Sequence, residues 1–194
     1  NTRQLSSASV LVLDAGAAST SAMAASAAQR FADQLGRGTA GKLRPTVCKK
    51  AECAAVTAEA IVLSCEAAEP AALPPLMPEA YRLVVPADAT EPIRVTAPSA
   101  IGLVRALATL SQLTVAAEGG TALVPAIEVD DRPAHGWRGL LIDVARHFIP
   151  METVLGLLPL LAAVKINVLH IHLTDDQGWR YESTALPELN KPAS

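Results

Sequence analysis

Aromatic side chains are scarce in this sequence, whose 194 residues include two Phe, two Tyr and two Trp. Surfaces that bind single-stranded nucleic acid interleave aromatic and basic residues. Here 16 Lys and Arg stand against 19 Asp and Glu, which gives a net charge of −3. We therefore expect no nucleic-acid partner. Four of the six aromatics and all four histidines lie at or beyond His135, so the chemistry is expected in that part.

Long apolar runs are also missing. The longest uncharged apolar run covers residues 154–164, well short of the ~20 residues that a membrane-spanning helix needs. We expect no membrane span. The chain begins at Asn1 without Met and without a signal-like apolar segment, which predicts a processed or trimmed start.

Cysteine is limited to Cys48, Cys53 and Cys65. These residues have no histidine or further cysteine nearby to complete a zinc site, so no structural metal is predicted. Two alternatives remain: three buried thiols, or one local disulfide with one thiol left over.

Residues 1–131 read as a small α/β or α+β domain because strand-like and helix-like segments alternate. We expect a C-terminal cap of the first helix at Gly36 and Pro98 in the first turn of the second helix, whose buried face would carry Ile101, Val104, Leu107 and Leu110. A proline-rich loop is predicted at 69–78 and a polar linker at 130–136. The predicted strands are 10–13, 60–63, 81–85, 93–96 and 126–129, with 81–85 and 93–96 forming a hairpin, and the predicted helices are 19–35 and 98–113.

The pattern of residues 132–194, a strand, a helix and a second strand joined by short loops, predicts a βαβ unit with parallel strands. The apolar run 139–144 is typical of a strand buried on both faces. A helical run follows at 150–164, where Pro159 is expected to bend or interrupt the helix. The second strand is predicted at 167–173.

Polar residues gather where these two strands end. The carboxyl ends of parallel barrel strands carry the active site, so these side chains are expected at one edge. The first strand supplies Asp143, Arg146 and His147, and the second supplies His172, Asp175, Asp176 and Gln177.

The residue types narrow the possible roles. Asp143, among apolar neighbours, requires an Arg or His partner, and the fork of Arg146 suits either a ligand or a structural ion pair. His170 is expected to be a hydrogen-bonded core histidine. The adjacent Asp175 and Asp176 have diverging side chains, so together they do not form a two-carboxylate catalytic site.

The string WRGLLIDVARHF at 137–148, followed by Lys165, Asn167 and HIHLTDDQGWR at 170–180, closely resembles glycoside hydrolase family 20, the β-N-acetylhexosaminidases. The resemblance is good over about residues 80–194 and holds only in outline before that. It implies an α/β fold: an α+β, non-catalytic N-terminal domain at 1–131, then at 132–194 the first βαβ portion of a TIM (β/α)8 barrel.

The resemblance implies hydrolysis of terminal, non-reducing N-acetylhexosamine residues with retention, on glycans or chito-oligosaccharides, without a metal or organic cofactor. The substrate's own acetamido oxygen attacks the anomeric carbon, an exception to the two-carboxylate scheme. Arg146 would grip ring hydroxyls, and Asp175 would join a network with a later histidine. His172 and Asp176 would support it, and we place Asp143 and His147 in the same supporting network.

The family's catalytic Asp-Glu pair has no counterpart here, since the chain contains no Asp-Glu dipeptide. We expect that pair beyond Ser194. The 194 residues alone are therefore predicted to be inactive, with the remainder of the same enzyme as their partner. An extracytoplasmic location (secreted, periplasmic or lysosome-like) is expected.

Two alternatives come from other functional classes. His170 and His172, spaced two apart on a strand with Asp nearby, could begin the site of a metal-dependent barrel hydrolase. Residues 1–130 could instead form a non-enzymatic carbohydrate-binding or interaction module, for which Phe31 and Tyr81 are the only aromatics available.

Overall fold

The computed structural model describes residues 1–14, 22–53, 56–65 and 78–191. It forms two compact units, Asn1–Ala134 and His135–Ser194. Residues 19–21 of the first predicted helix and 69–77 of the predicted proline-rich loop lie outside the described residues. Among the helices within these ranges, none has both the length and the apolar character needed to cross a bilayer.

The first unit is built on a six-stranded sheet and a smaller three-stranded sheet. The elements are β1 Thr2–Leu5, β2 Val10–Leu13, α1 Ala22–Gly38, β3 Thr46–Lys49, β4 Ala60–Cys65, β5 Tyr81–Val85, β6 Ile93–Ala97, α2 Ala100–Leu113, β7 Val115–Ala117, β8 Thr121–Pro125 and β9 Ile127–Asp131. The strand order of the larger sheet is β3-β2-β4-β6-β5-β9. Its first four strands are parallel, and β5 pairs antiparallel with both β6 and β9. The predicted strand at 10–13 and the hairpin of β5 and β6 are confirmed.

Alternate side chains of the larger sheet form the core with the two helices. Leu11, Leu63 and Leu83 from the strands and Phe31 and Leu103 from the helices belong to one buried cluster. The other sides of β2 and β4 carry a second small cluster. Both clusters lie within the first unit, which thus has its own apolar core.

The helix α1 does not end at Gly36, as the sequence predicts, but at Gly38. Gly36 is buried, and a Cβ there would lie 2.9 Å from Cγ of Arg44. Two left-handed residues follow the helix, Ala40 with φ of 53° and Gly41 with φ of 82°. The amide of Gly41 donates to the carbonyl of Gly36 at 2.7 Å. Gly36 is therefore selected by packing, and the cap lies beyond it.

The helix α2 begins at Ala100, two residues later than predicted. Ser99 is the N-cap and its side chain accepts a hydrogen bond from the amide of Gly102, so Pro98 precedes the helix instead of lying in its first turn. Leu107 and Leu110 are buried as predicted, but Ile101 and Val104 are only partly buried.

Cys48 and Cys53 form a disulfide, while Cys65 is a buried thiol outside that disulfide. The second of the two cysteine alternatives is therefore confirmed.

The predicted linker at 130–136 begins too early, because β9 extends to Asp131. The Asp131 carboxylate accepts a hydrogen bond from the Tyr81 hydroxyl at 2.7 Å, which ties this strand end to β5.

The second unit confirms the predicted βαβ arrangement, with β10 and β11 parallel. Its elements are β10 Gly139–Asp143, α3 Met151–Ala163, β11 Val168–His172, β12 Thr174–Asp175 and β13 Gly178–Trp179. The helix α3 continues through Pro159 as one element and does not restart.

Burial in this second unit differs from the prediction. We expected β10 to be buried on both faces, yet Leu140 is 36% and Leu141 54% exposed. His170, expected in a core, is also exposed. The reason is that the two-stranded sheet of β10 and β11 is accompanied by a single α-helix in the described part of this unit.

Candidate active site

The register of β10 and β11 places two site residues side by side. In this parallel pair Asp143 lies opposite His172 at the carboxyl ends of the strands. Arg146 follows the first strand and Asp175 follows the second. Because both strand ends lie at the same edge, side chains separated by about 30 residues in sequence meet there.

The Arg146 guanidinium is the centre of the cluster. Its Nη1 lies 2.8 Å from Oδ2 of Asp143, and its Nη2 lies 2.7 Å from Oδ2 of Asp175. Its Nε donates to Oε1 of Gln177 at 3.1 Å. Each nitrogen of the fork thus has its own partner, a geometry that lysine lacks.

Asp143 holds both the side chain and the loop of Arg146. Its Oδ1 accepts hydrogen bonds from the backbone amides of Ala145 and Arg146, each at 3.1 Å, which makes a side-chain-closed turn. The hydrogen bond from the Arg146 side chain, and next the bond from the Arg146 amide, lower the pKa of Asp143 below its ordinary value. The same side-chain bond raises the pKa of Arg146.

His172 lies between Arg146 and Asp175. Its Nδ1 is 3.2 Å from Nη1 of Arg146, and its Nε2 is 3.1 Å from the carbonyl of Thr174 and 3.1 Å from Oδ2 of Asp175. Arginine only donates hydrogen bonds, so Nδ1 accepts and the ring hydrogen belongs on Nε2. The imidazole therefore connects the guanidinium to the second carboxylate.

Asp175 is stabilised in its ionised form. The amide of Asp176 donates to its Oδ1 at 2.8 Å, and this bond is the main cause that lowers the pKa of Asp175. A general acid needs a raised pKa to hold a proton near neutral pH. Asp143 and Asp175 have the opposite shift, so this cluster suits ligand recognition and positioning better than proton donation.

The hairpin of β12 and β13 packs on the loop that carries Arg146. Arg180, next to the hairpin, donates from Nε to the carbonyl of Val144 at 2.9 Å, and its guanidinium lies 5.3 Å from the ring centroid of Phe148. A Cβ at Gly178 would lie 2.5 Å from the carbonyl oxygen of Ala145. A glycine is thus required where the hairpin approaches the loop.

The structure brings together Asp143, Arg146, His172 and Asp175, while Asp176 and His147 are exposed beside them. Asp176 contributes its backbone amide to Asp175. Gln177 lies in the same polar string, but its contact with Arg146 was not predicted from the sequence. Its position in the two-residue turn between β12 and β13 is the signal that would have identified it.

The two alternative functions find little support in this geometry. Both ring nitrogens of His172 already face protein groups, and within the described ranges no group of three or more His, Cys, Asp or Glu is arranged to hold a metal ion. For the carbohydrate-binding alternative, Phe31 and Tyr81 are 3% and 4% exposed, so neither ring is available to stack on a sugar.

Comparison with known proteins shows where the chain belongs. The family model of Glycosyl hydrolase family 20, domain 2, matches residues 2–132, and that of Glycosyl hydrolase family 20, catalytic domain, matches residues 135–194. A Beta-N-acetylhexosaminidase of Cellulomonas fimi is 48% identical over 116 residues, which is 60% of this chain and 23% of that protein. A Beta-hexosaminidase of Vibrio furnissii is 50% identical over 99 residues, covering 51% and 16%.

Solved structures agree. The GH20 exo β-N-acetylglucosaminidase of Vibrio harveyi in complex with N-acetylglucosamine has a TM-score of 0.75 and 28% identity, with 98% of this chain and 26% of that chain covered. The chain thus spans about a quarter of the length of such relatives. The fold is an α+β unit followed by the start of a TIM barrel. By both family models, this chain belongs to glycosyl hydrolase family 20.

Proposed function

We propose that the protein containing this chain is a β-N-acetylhexosaminidase that removes terminal, non-reducing N-acetylhexosamine residues with retention. Family membership supports this proposal, and one observation in the site carries it. The Arg146 guanidinium is fixed between Asp143 and Asp175 and is still half exposed, at 48%. A held but accessible fork suits neighbouring hydroxyls of a sugar ring.

Arg146 has enough hydrogen-bond donors to contact its neighbours in the cluster and a sugar hydroxyl as well. A guanidinium carries five N–H groups, and the contacts to Asp143, Asp175, Gln177 and His172 use four of them. Among the described residues, one Nη2 hydrogen stays available for a sugar hydroxyl. Asp143, His172, Asp175, Asp176 and His147 are the supporting residues.

Catalysis would be substrate-assisted. The acetamido oxygen of the substrate attacks the anomeric carbon, a carboxylate orients that group, and an adjacent Glu protonates the leaving oxygen. This chain has no Asp-Glu dipeptide, and its two clustered carboxylates have lowered pKa values. The catalytic pair is therefore assigned to the remainder of the enzyme, no cofactor is assigned, and these 194 residues alone are proposed to be inactive.

Within this assignment, residues 1–131 are the non-catalytic domain and residues 132–194 begin the catalytic barrel. The substrates are glycans or chito-oligosaccharides that end in N-acetylhexosamine, as the ligand of the Vibrio harveyi structure supports. The Cys48–Cys53 disulfide favours an oxidising, extracytoplasmic compartment, because cytosolic disulfides are rare.

Replacement of Arg146 in the complete enzyme tests the proposal. Arg146→Ala should raise KM and lower kcat for an aryl N-acetyl-β-glucosaminide, since charge-assisted hydrogen bonds contribute roughly 1.5–3 kcal/mol each. Arg146→Lys should not restore activity, because an ammonium cannot reproduce the fork. The matched control is Arg37→Lys at an exposed position of α1, which should leave the kinetics unchanged.

Near-normal kinetics of Arg146→Lys would contradict the role of Arg146, because its charge alone would then be sufficient. Hydrolysis that disappears with a chelator and returns with zinc would contradict the proposed enzyme class and favour the metal-dependent alternative. Retention is read directly from the anomer that forms first, by proton NMR of the released sugar.

A further inference from the structure

Gln177 contacts the Nε edge of the Arg146 guanidinium with an uncharged side chain. Its Oε1 accepts from Nε at 3.1 Å. Carboxylates bind the other two nitrogens: Asp143 is at Nη1 and Asp175 is at Nη2. Each of the three nitrogens therefore has a partner, and His172 adds a second contact at Nη1. Contacts on all three nitrogens fix the plane of the guanidinium as well as its position.

The Gln177 side chain starts from an anchored turn. Asp176 and Gln177 join the paired strands β12 and β13, so they form a two-residue hairpin turn. The close fit of Gly178 against the Ala145 carbonyl and the Arg180 bond to the Val144 carbonyl hold this hairpin on the loop before Arg146. The separation between Gln177 and Arg146 is therefore set by contacts that the hairpin and Arg180 make with the backbone of this loop.

The chemistry of the amide matters because the cluster is already rich in negative charge. Asp143 and Asp175 place two carboxylates on one guanidinium. An amide oxygen accepts the Nε hydrogen without adding a third negative charge. The amide oxygen therefore orients the guanidinium and leaves the net charge of the cluster unchanged.

We propose that Gln177 is a positioning residue that fixes the plane of the Arg146 guanidinium, so that its remaining Nη donor points to the sugar hydroxyls. The inference rests on the proposed function for its effect on catalysis. Its structural part concerns the Nε bond alone and is measurable without turnover.

A double-mutant cycle in the complete enzyme tests the catalytic effect. Gln177→Met keeps the side-chain length and removes the strong acceptor. On an aryl N-acetyl-β-glucosaminide it should lower kcat/KM about tenfold, mainly through KM, because it loosens a charge-assisted contact. In the Arg146→Ala background the same change should cost less than about twofold, since residues that act through one another are not additive. Gln4→Met, at an exposed position of β1, is the matched control and should have no effect.

Equal losses in both backgrounds, or no loss in the native one, would overturn the proposal. Nitrogen-15 NMR of the arginine Nε–H groups provides the second measurement, with the Arg146 signal assigned by its loss in Arg146→Lys. We expect slow solvent exchange of that hydrogen in the native protein and clearly faster exchange in Gln177→Met. Unchanged exchange would refute the Nε bond. If the enzyme proves inactive on N-acetylhexosaminides, the proposed function fails, and the exchange measurement still decides the role of Gln177.

Discussion

Asp143 performs two tasks with one carboxylate. Its Oδ1 closes the turn at Ala145 and Arg146, and its Oδ2 pairs with the guanidinium. The turn and the ion pair therefore hold Arg146 in place before any substrate binds. Preorganisation of this kind lowers the cost of ordering a side chain on binding.

We predict that Asp143 titrates below its ordinary pKa of 3.8 in the 194-residue chain. A carboxylate whose pKa is lower in the folded state stabilises that state above the unfolded pKa, and the contribution is lost as pH falls through the folded pKa. The ion pair with Arg146 should therefore be fully formed above the ordinary pKa of Asp143 and be lost only as pH falls through its lowered folded-state pKa. Carbon-13 NMR titration of the carboxyl groups measures this.

Arg146→Met should move the Asp143 midpoint upward, since the Arg146 side-chain bond is the largest cause of the shift. Asp88 provides the internal control. Its pKa is lowered mainly by the backbone amide of Thr90, so its midpoint should not change in the variant. An Asp143 midpoint that stays where it was would show that another group holds the carboxylate.

At the scale of elements, the β12–β13 hairpin is more important than its length indicates. It has two paired residues on each side, which is too short to be stable alone. Its stability comes from the loop beneath it, through Gly178 and Arg180. Since the hairpin carries Gln177 and follows Asp175, the precision of the site depends on this contact.

We predict that Gly178→Ala separates the hairpin from the loop, because the added Cβ would lie 2.5 Å from a backbone oxygen of Ala145. Hydrogen exchange of the Arg180 amide, which donates to the Leu173 carbonyl, should become faster. Gly156→Ala in α3 is the matched control, since nothing lies within 4 Å of a Cβ there. That change should favour the helix by about 0.5–1 kcal/mol and leave the hairpin unaffected. Unchanged exchange in Gly178→Ala would disprove the tight fit.

At the scale of the whole molecule, the two units differ in how much apolar surface they bury. The first unit has a continuous core from strands and helices. In the described part of the second unit, Val144 and Ala145 are the buried residues, while Leu155, Leu160 and Trp137 are more than half exposed. Because burial of apolar surface provides most of the favourable free energy of folding, the first unit should be the more stable one.

The 194-residue chain should accordingly show no turnover of a fluorogenic N-acetylglucosaminide and should be cleaved by trypsin first within residues 135–191. A stable fragment close to residues 1–134 should remain. The complete enzyme, assayed in parallel, is the positive control. A kcat of ~1 s⁻¹ or above for the chain would refute inactivity, and equal resistance of both units would refute the difference in stability.

Local pattern was enough to identify most strands, the parallel βαβ unit and the polar residues at its strand ends. Alternation and helical spacing are properties of neighbouring residues, and parallel strands bring their carboxyl ends to one edge whatever surrounds them. The family motif added the roles proposed for Arg146 and Asp175. The same local reasoning placed the helix cap at Gly36 and His170 in a core, and both predictions were wrong. Gly36 packs against Arg44, and His170 lies on a two-stranded sheet that a single α-helix accompanies in the described part of its unit.

The remaining features depend on contacts between segments far apart in the chain. Gln177 and Arg146 are 31 residues apart, and Tyr81 and Asp131 are 50 apart, so no local pattern links them. The disulfide is different, because Cys48 and Cys53 are only five residues apart. The sequence left the pairing open, and the structure decides it: β3 and the turn that follows bring these two sulfurs together, whereas Cys65 belongs to the buried cluster of the sheet. Such choices follow from three-dimensional packing, in which each side chain selects its partner by distance and direction rather than by position in the sequence.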